Sequence, residues 1–492
     1  MNRLPTNVPR GRFDFEYLPE TDQSFENALA KARSGERLTV ADGVELLTTG
    51  TGFEGIDPVR KEQVLEAADR RRAEVVGEEV TFVVNLNNNV TTACNTGCLF
   101  CNFKDPAGEF ERPAERASGE RARDAIDGSV SGKRTASDAS REQGDPRAER
   151  DGAGGTDGFS KTPEESRRIV RDAVARGVYE VTSVSGLHPA LALNDEHLEI
   201  LAANGGPNYK PASAYRVDPG TYVEQIEAMN VDGVHVHSMT PEEAAHARRG
   251  TDWSYESVYR ELTDAGLASV PGTAAEILVD EVRDVICPQK IDSAEWEAAM
   301  EAAASVGLDM TATIMYGHVE NEMHRVLHLD RVRDLQERTG AITEFVPLSF
   351  VHRNTPLTEK GMVTDGATRE EDELMIAVSR LYLDNVPNIQ SSWVKYGDAF
   401  GLKLLSCGAN DFMGTILSEE ITKRAGGEYG EFRSVRDYVE MITAIGRVPV
   451  ERSTDYRERR VVDPDEGPIG PMLGPKADGT PLTAGRPAPA DD

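Results

Sequence analysis

Three of the five cysteines lie close together in the stretch Thr91–Cys101, which reads TTACNTGCLFC. They are Cys94, Cys98 and Cys101, at a C-x3-C-x2-C spacing. Residues 80–86, just before this stretch, are rich in β-branched and aromatic side chains, a pattern typical of a buried strand. A loop at the carboxyl end of a strand lies where α/β barrels carry their chemistry. The spacing therefore indicates a metal site at the rim of a barrel.

The chemistry that suits this loop is an iron–sulfur cluster, because cysteine thiolates are the usual ligands of such clusters. Three thiolates hold three corners of a four-iron cube and leave one iron open for a small molecule. An open position distinguishes a reactive metal site from a closed structural one. A zinc site completed by a distant His or Cys, or three unrelated thiols, are alternatives that the spacing leaves open. The aromatic residue before the last cysteine, Phe100, favours the cluster.

The rest of the chain alternates strands and helices, the pattern of a parallel sheet covered by helices. About eight strand–helix units follow Val80, which predicts an α/β barrel rather than an open sheet. We assign residues 1–78 to an N-terminal helical extension, 79–447 to the barrel and 448–492 to a largely disordered C-terminal tail. Residues 108–157 are polar and charged, with almost no large apolar side chain, and are predicted to be a disordered insertion.

Polar or glycine-containing segments follow nearly every predicted strand. Because the carboxyl ends of parallel strands meet at one face of a barrel, we expect these segments to converge there. The alternative for each residue is an ordinary loop or helix-cap position. His235 and His237 share one face of a strand, where hydrogen bonding is favoured over metal ligation. The segments are 183–188, 235–238, 273–276, 316–320, 392–395 and 410–411.

The chain is strongly acidic, with 85 Asp and Glu against 54 Lys and Arg and a net charge of −31. This sign argues against nucleic-acid binding, because phosphate neutralisation needs the opposite charge. It is typical of salt-adapted, haloarchaeal-type proteins, with an ordinary acidic cytosolic protein as the alternative. No apolar run approaches the ~20 residues of a membrane helix, and no secretory leader is visible. The clustered cysteines predict a cytoplasmic location, with Cys287 and Cys407 as isolated, packed side chains.

The cysteine loop resembles the radical S-adenosylmethionine (SAM) signature, C-x3-C-x-aromatic-C, with Phe100 at the aromatic position. Longer segments are similar to radical SAM enzymes of the CofH and menaquinone (futalosine) branch, and the resemblance runs from residue 80 to 447 around the insertion. They include LTDAGLASVPGTAAEILVDEVRDVICPQKI, SSWVKYG and SCGANDFMGTILSEEIT. The pieces PGTAAEIL, MYGHVE and SWVKYG favour the CofH family. Relatives more often have Gln-Gly-Gly where this chain has Ser183–Gly186.

The resemblance implies a radical-SAM TIM-like barrel. It implies that a 4Fe–4S cluster is bound by Cys94, Cys98 and Cys101. Implied contacts to SAM are the Phe100 backbone and, as candidates, Ser185, Glu276 and Glu320. Candidate residues of a substrate cavity are His188, His237, His318, Lys395 and Asn410.

The family reaction joins the 4-hydroxybenzyl group of L-tyrosine to 5-amino-6-(D-ribitylamino)uracil in the synthesis of the deazaflavin FO. It releases 2-iminoacetate, methionine and 5′-deoxyadenosine. The resemblance therefore implies these two substrates, a second FO synthase subunit and a low-potential electron donor, with neither nucleic acid nor a membrane as partner. An enzyme of the futalosine menaquinone pathway is the nearest alternative. A non-catalytic iron–sulfur electron carrier is the alternative from a different class.

Overall fold

The computed structural model describes residues 24–52, 55–112, 158–204, 209–231, 233–416, 429 and 432–463. Most of the predicted disordered insertion at 108–157 lies outside these residues, as does the predicted tail beyond 463. At the start of the insertion, however, Ala107–Phe110 form a short 3-10 helix, and Glu111 forms an antiparallel bridge to Tyr215. The predicted start at 108 is therefore too early, because this segment gains backbone partners from a loop distant in sequence.

Within the described ranges, the centre of the fold is a ring of eight parallel strands, one of which is interrupted and counts as two in the list that follows. Four further strands lie outside the ring. The strands are β1 (Glu79–Val83), β2 (Asn85–Asn87), β3 (Ala93–Cys94), β4 (Asp105–Pro106), β5 (Glu180–Ser183), β6 (His235–Ser238), β7 (Leu267–Val270), β8 (Asp309–Tyr316), β9 (Ile342–Ser349), β10 (Asn388–Ile389), β11 (Asp411–Gly414), β12 (Val448–Arg452) and β13 (Arg459–Val461).

The ring closes through an interrupted strand and a single bridge. β1 and β2 are successive stretches of one extended segment broken at Val84, so that β1 pairs with β11 while β2 pairs with β5. From β5 the strands follow chain order to β10. An isolated parallel bridge between Gln390 and Asp411 then joins β10 to β11. The α/β barrel that the sequence predicts is confirmed.

Helices cover the outside of the ring, and among the described residues none is long and apolar enough to cross a bilayer. They are α1 (Phe25–Ser34), α2 (Val40–Leu47), α3 (Pro58–Val76), α4 (Pro163–Val174), α5 (Asp195–Asn204), α6 (Tyr222–Met229), α7 (Pro241–Ala247), α8 (Tyr255–Asp264), α9 (Asp280–Ile286), α10 (Ser293–Ser305), α11 (Glu322–Thr339), α12 (Pro356–Glu359), α13 (Arg369–Tyr382), α14 (Trp393–Tyr396), α15 (Asp398–Leu404) and α16 (Val435–Ala444).

The first three helices correspond to the predicted N-terminal extension. Each begins at a side-chain cap, provided by Ser24, Thr39 and Asp57 in turn, because these side chains accept hydrogen bonds from the free amides of a first turn. Phe25 and Leu29 lie one turn apart and are both buried, as an amphipathic helix requires. α2 and α3 pack against α13, which attaches the extension to the barrel.

Two segments near the closure of the ring differ from the sequence prediction. The segment 392–395, expected to follow a strand directly, begins three residues after β10 ends at Ile389, and Trp393–Tyr396 form one helical turn. Asp411, expected in a polar segment after a strand, is instead the first residue of Asp411–Gly414, the last strand of the ring. Local β propensity is weak in a strand that contains Asp and Gly, so distant pairing decides its conformation.

The segment 448–461 also differs, because the sequence predicts a tail from 448 onwards. β12 pairs in parallel with β1 and then turns into the antiparallel β13. The charged sequence of this hairpin suggests exposure to solvent, yet Arg452, Ser453 and Thr454 are buried. Charged side chains can be buried when partners compensate them inside the fold. The folded region therefore extends past 447 to the end of β13.

We call Arg452–Tyr456 the barrel plug. The Arg452 guanidinium donates from Nε to Asp411 Oδ2 at 2.6 Å and from Nη2 to Glu344 Oε2 at 3.0 Å. Two hydroxyls of the plug donate to the carboxylates of Glu180 and Asp411. These carboxylates lie at or near the first residues of β5, β9 and β11. The plug therefore closes the amino-terminal end of the barrel with a buried network of charges.

Replacing Arg452 by Met is expected to destabilise the protein by about 3–5 kcal/mol, because it leaves buried carboxylates without a counter-charge. Denaturant unfolding in high salt would measure this loss. Arg460→Met is the matched control, since Arg460 pairs with Glu451 but its side chain is 41% exposed. An exposed pair contributes less than about 1 kcal/mol. Equal losses in the two variants would contradict a dominant role for the plug.

A second buried carboxyl, that of Asp372, joins α13 to the barrel wall. It accepts a hydrogen bond from the Tyr316 hydroxyl at 2.7 Å, and that hydroxyl lies 3.0 Å from the hydroxyl of Tyr396. Burial raises the pKa of Asp372 from 3.8 to about 7. The folded protein therefore holds a proton on Asp372 at pH values where the unfolded chain has already released it.

This proton makes the contribution of Asp372 to stability fall as the pH rises from about 4 to about 7. In Asp372→Asn the amide oxygen still accepts from Tyr316 but does not titrate. Across this window we expect the unfolding free energy of the variant to rise relative to wild type by roughly 3 kcal/mol. Denaturant titrations at several pH values would measure the difference, and a difference independent of pH would refute the assignment.

Candidate active site

A cavity at the carboxyl end of the barrel brings the three clustered cysteines together with the strand-end loops. We call it the thiol cavity. The loops after β5, β6, β7 and β9 all contribute to its wall, as does the first part of α14. Its lining includes the side chains of Cys94, Cys98, Cys101, Phe100, Ser185, Glu242, Glu243, Glu276, Lys290 and Lys395.

The cysteine loop is held at both ends and in the middle. β3 and β4 pair in parallel and close its base. In the middle, the amide of Leu99 donates to the Ile286 carbonyl at 2.8 Å, and the carbonyl of Leu99 accepts from the amide of Leu357 at 3.0 Å. The amide of Gly97 donates to Gln289 Oε1 at 2.6 Å. The loop is therefore fixed by hydrogen bonds to the end of α9, to the Gln289 side chain and to α12 before any ligand binds.

The three thiols form a donor set that fits an iron–sulfur cluster. Cys98 is buried, and burial raises the pKa of both the Cys98 and Cys101 thiols, with the Lys290 ammonium opposing the shift at Cys98. Among the cavity-lining residues that the structure describes, none is a histidine that could complete a zinc site. Three thiols lining one cavity are the donor type that an iron–sulfur cluster takes, in which each cysteine binds a different iron.

Glycine is required beside this loop. Gly186 donates from its amide to the Thr91 carbonyl at 2.8 Å. A Cβ atom at Gly186 would lie 2.6 Å from the carbonyl oxygen of Ala93, which is backbone and cannot move aside. The loop after β5 therefore packs directly against the residue that precedes Cys94.

Glu276 lies in the wall of the thiol cavity with a strained backbone. Its φ is 46° and that of Ala274 is 76°, values in the left-handed region that non-glycine residues rarely adopt. Its Oε1 accepts from Lys290 Nζ at 2.7 Å. Lys290 Nζ in turn lies 5.6 Å from the centroid of the Phe100 ring. Strain of this kind persists where the surrounding structure enforces it, often at a ligand site.

Ser185 reaches the cavity wall through its own hydrogen bonds. Its hydroxyl accepts from the amide of Val90 at 2.7 Å, and its amide donates to Glu243 Oε1 at 3.2 Å. Glu243 also accepts from Thr240 within the capping box that begins α7. Burial raises the pKa of Glu243 to about 7. The capping glutamate therefore doubles as a buried carboxyl in the wall of the cavity.

Sequence reasoning missed three of these groups. Lys290 lies in the loop between α9 and α10, away from any strand end, and nothing in the sequence pattern singles it out. Glu242 and Glu243 lie in the first turn of α7, four and five residues after β6 ends, and two carboxylates so close to a strand end were a usable signal. Phe100, Ser185, Glu276 and Lys395 line the cavity.

Glu320 and His318 lie in the core rather than in the thiol cavity, contrary to expectation. Glu320 is 1% exposed and accepts from the amides of Gly317 and His318 and from Arg325 Nε at 2.9 Å. Burial opposes its ionisation, but His318 and Arg325 hold the pKa of Glu320 well below its usual value. His318 Nε2 lies 3.0 Å from the Met315 carbonyl oxygen. Both side chains form hydrogen bonds that stabilise the turn after β8.

Two further candidates lie near the opposite end of the barrel. His237 Nδ1 is 2.6 Å from Ser269 Oγ, and burial lowers the pKa of His237 to about 4. Asn410 accepts from Arg380 Nη2 at 2.6 Å and from the Ile389 amide at 2.9 Å, which fixes the start of β11. Neither lines the thiol cavity. His237 interacts electrostatically with Glu180 and with Arg452 of the barrel plug, and Asn410 directly precedes β11.

His188 is close to the cavity but turned away from it. Its ring lies edge-on to Tyr215 at 4.4 Å between centroids, and Nδ1 accepts from the Ala190 amide at 3.1 Å. Burial lowers the pKa of His188 to about 4, so the ring is neutral. The expectation that it lines the substrate cavity is therefore not met.

Comparison with known proteins supplies the family. The radical SAM superfamily matches residues 88–332, and the CofH/MqnC C-terminal region matches residues 339–464. Two solved structures share the fold. HydG, a maturase of the FeFe-hydrogenase, gives a TM-score of 0.53 at 14% identity over 88% of this chain and 76% of its own. Methylornithine synthase (PylB) gives a TM-score of 0.55 at 16% identity over 86% and 97%.

Three relatives carry the name 5-amino-6-(D-ribitylamino)uracil--L-tyrosine 4-hydroxyphenyl transferase. That of Haloarcula marismortui is 68% identical, covering 98% of this chain and 100% of the relative. That of Halobacterium salinarum is 64% identical over 96% of each chain. That of Methanospirillum hungatei is 38% identical over 80% of this chain and 88% of the relative. The chain therefore belongs to the 5-amino-6-(D-ribitylamino)uracil–L-tyrosine 4-hydroxyphenyl transferase (CofH) family of radical SAM enzymes.

Proposed function

We propose that this protein transfers the 4-hydroxybenzyl group of L-tyrosine to 5-amino-6-(D-ribitylamino)uracil, releasing 2-iminoacetate, methionine and 5′-deoxyadenosine. The observation that carries the proposal is the thiol cavity, where Cys94, Cys98 and Cys101 meet at the carboxyl end of the barrel. The names of the relatives at 68% and 64% identity support the choice of substrates. The acidic, salt-adapted composition fits these haloarchaeal relatives.

The three cysteines would each bind one iron of a 4Fe–4S cluster and leave the fourth iron open for SAM. When bound, the cluster and SAM would supply the radical chemistry that activates tyrosine. The protein contributes position and shielding, which is the usual division of labour in cofactor enzymes. Apolar wall residues, among them Met315, Leu348 and Phe350, exclude water from the reacting groups.

Individual side chains of the cavity have proposed roles. The Phe100 backbone and Ser185 would contact SAM beside the cluster. Glu276 would accept a hydrogen bond from SAM or a substrate, with Lys290 holding its carboxylate in place. Lys395, at the wall farther along the barrel rim, would hold a substrate. Two substrates held in contact within one cavity gain most from effective concentration.

The surroundings of the reaction follow from its chemistry. We place the protein in the cytoplasm, because reduced thiols are needed for cluster binding. A low-potential electron donor would reduce the cluster, and the second FO synthase subunit would receive the product and close the deazaflavin ring.

Product analysis tests the reaction. Anaerobically reconstituted, dithionite-reduced protein is expected to convert SAM, tyrosine and 5-amino-6-(D-ribitylamino)uracil into 5′-deoxyadenosine and the 4-hydroxybenzyl adduct, both detected by mass spectrometry. Cys98→Ala should abolish both products. Cys407→Ala is the matched control, because Cys407 is equally buried but lies outside the thiol cavity.

Each failure of this experiment has its own meaning. Deoxyadenosine without adduct would move the substrates to the futalosine branch. Neither product, from protein with an intact four-iron cluster, would favour an electron carrier. Activity that survives in Cys98→Ala would remove the cysteine triplet from the mechanism.

Lys395→Met tests the substrate side of the cavity. Loss of one charged hydrogen bond is expected to raise the KM for tyrosine or for the uracil roughly tenfold, with cluster content unchanged. Steady-state kinetics with each substrate varied in turn would show which substrate it holds. Lys403→Met is the control, since Lys403 pairs with Glu373 and its side chain is 58% exposed. Unchanged KM values in Lys395→Met would remove Lys395 from the site.

A further inference from the structure

Lys290 is a buried ammonium beside the cysteine loop. Its side chain is 9% exposed, and Nζ forms an ion pair of 2.7 Å with Glu276 Oε1. Burial alone would lower the pKa of Lys290, but the charges of Glu276, Cys98, Glu242 and Cys287 more than reverse this and raise it. The ammonium is therefore charged throughout the range in which the protein works.

The loop that carries Lys290 is fastened to the cysteine loop rather than merely close to it. The Ile286 carbonyl accepts from the Leu99 amide at 2.8 Å, and Gln289 Oε1 accepts from the Gly97 amide at 2.6 Å. Lys290 follows directly and lies over the Phe100 ring. Two residues of the cysteine loop, on either side of Cys98, are thus bonded to the residues just before Lys290. The backbone of Lys290 is therefore held beside the cysteine loop, and the bond from Nζ to Glu276 Oε1 places the ammonium.

Lys290 lies in a wall that also carries three carboxyl groups, those of Glu242, Glu243 and Glu276, and three cysteines that would bind iron as thiolates. Of the two other lysines in the wall, Lys104 donates to the Thr96 carbonyl in the cysteine loop, and Lys395 lies in α14. Lys290 is the lysine of this wall whose chain neighbours are bonded to the residues on either side of Cys98.

We propose that Lys290 is a positioning residue that balances the charge of the Cys98 side of the cluster and raises the reduction potential of the cluster. Reduction adds one negative charge to the cluster, and the net charge nearby is one of the factors that set the potential of an iron–sulfur centre. A fixed ammonium in a poorly screened interior stabilises the reduced form. The inference rests on the proposed function only in requiring that the cysteines bind a cluster.

Redox titration of the reconstituted protein tests this inference. The wild type, Lys290→Met and Lys290→Arg are titrated with dithionite, and the reduced cluster is followed by electron paramagnetic resonance. Lys290→Met should shift the midpoint to a more negative potential, because a positive charge is lost and the Glu276 carboxylate is uncovered. Lys290→Arg keeps the charge and should stay close to wild type. Iron and sulfide content are measured for each protein.

Two further variants separate local charge from general damage. Lys61→Met is the matched control, because Lys61 forms a 2.6 Å ion pair with the buried Glu373 far from the thiol cavity and should leave the potential unchanged. In the double variant Lys290→Met with Glu276→Gln both charges are gone, and the potential should return toward wild type. Thermal unfolding of each apoprotein checks that the fold is kept.

The outcomes are distinct. Loaded Lys290→Met protein with the wild-type potential overturns the inference and leaves the proposed function intact. An equal shift in Lys61→Met also overturns it. Failure of Lys290→Met, but not Lys290→Arg, to retain iron supports charge balance at Cys98. Wild-type protein that binds no four-iron cluster would overturn the proposed function and, with it, the inference.

Discussion

The guanidinium of Arg452 is shared between Asp411 of β11 and Glu344 of β9, the two strands on either side of β10. At this point the ring closes through one bridge, between Gln390 and Asp411. Because few backbone hydrogen bonds join β10 to β11, the buried ion pairs of Arg452 with Asp411 and Glu344 are needed to stabilise the closed ring. Once the ring is closed, the carboxyl ends of its strands are held in a fixed arrangement, and the thiol cavity can form between them.

The two ends of the barrel use buried charge differently. At the amino-terminal end, acids and bases satisfy one another within the protein, as expected where a barrel carries stability rather than function. At the carboxyl end the compensation is less complete. Lys290 and Glu276 form a pair, but Glu276 sits on a strained backbone, and burial raises the pKa of Glu242 and Glu243 in the same wall. The protein therefore balances the buried carboxyl groups of this end only in part.

The sequence predicts most of this arrangement, because much of the signal is local. The strand–helix alternation and the cysteine spacing are each carried by residues within a few positions of one another. The sequence does not predict features that depend on partners distant in the chain, or on which end of the barrel a strand residue lies near. Asn410 accepts a hydrogen bond from Arg380, thirty residues earlier in the chain. His237 faces the end of the barrel opposite the thiol cavity. Lys290 contacts Glu276 and the cysteine loop only in the folded protein, so that hydrophobic periodicity in the sequence does not predict its place in the site.

The pairing of β1 with both β11 and β12 has a consequence for how the protein is made. β1 leaves the ribosome early, but its partners lie at 411–414 and 448–452. Until those residues have been synthesised, both edges of β1 expose unpaired amides and carbonyls, and the hydrophobic interior of the ring is open. Contacts this distant in sequence slow folding and lengthen the life of an aggregation-prone intermediate. A nascent chain of this length therefore depends on its last hundred residues to bury its first strand, and the high negative charge of the chain helps to keep that intermediate in solution.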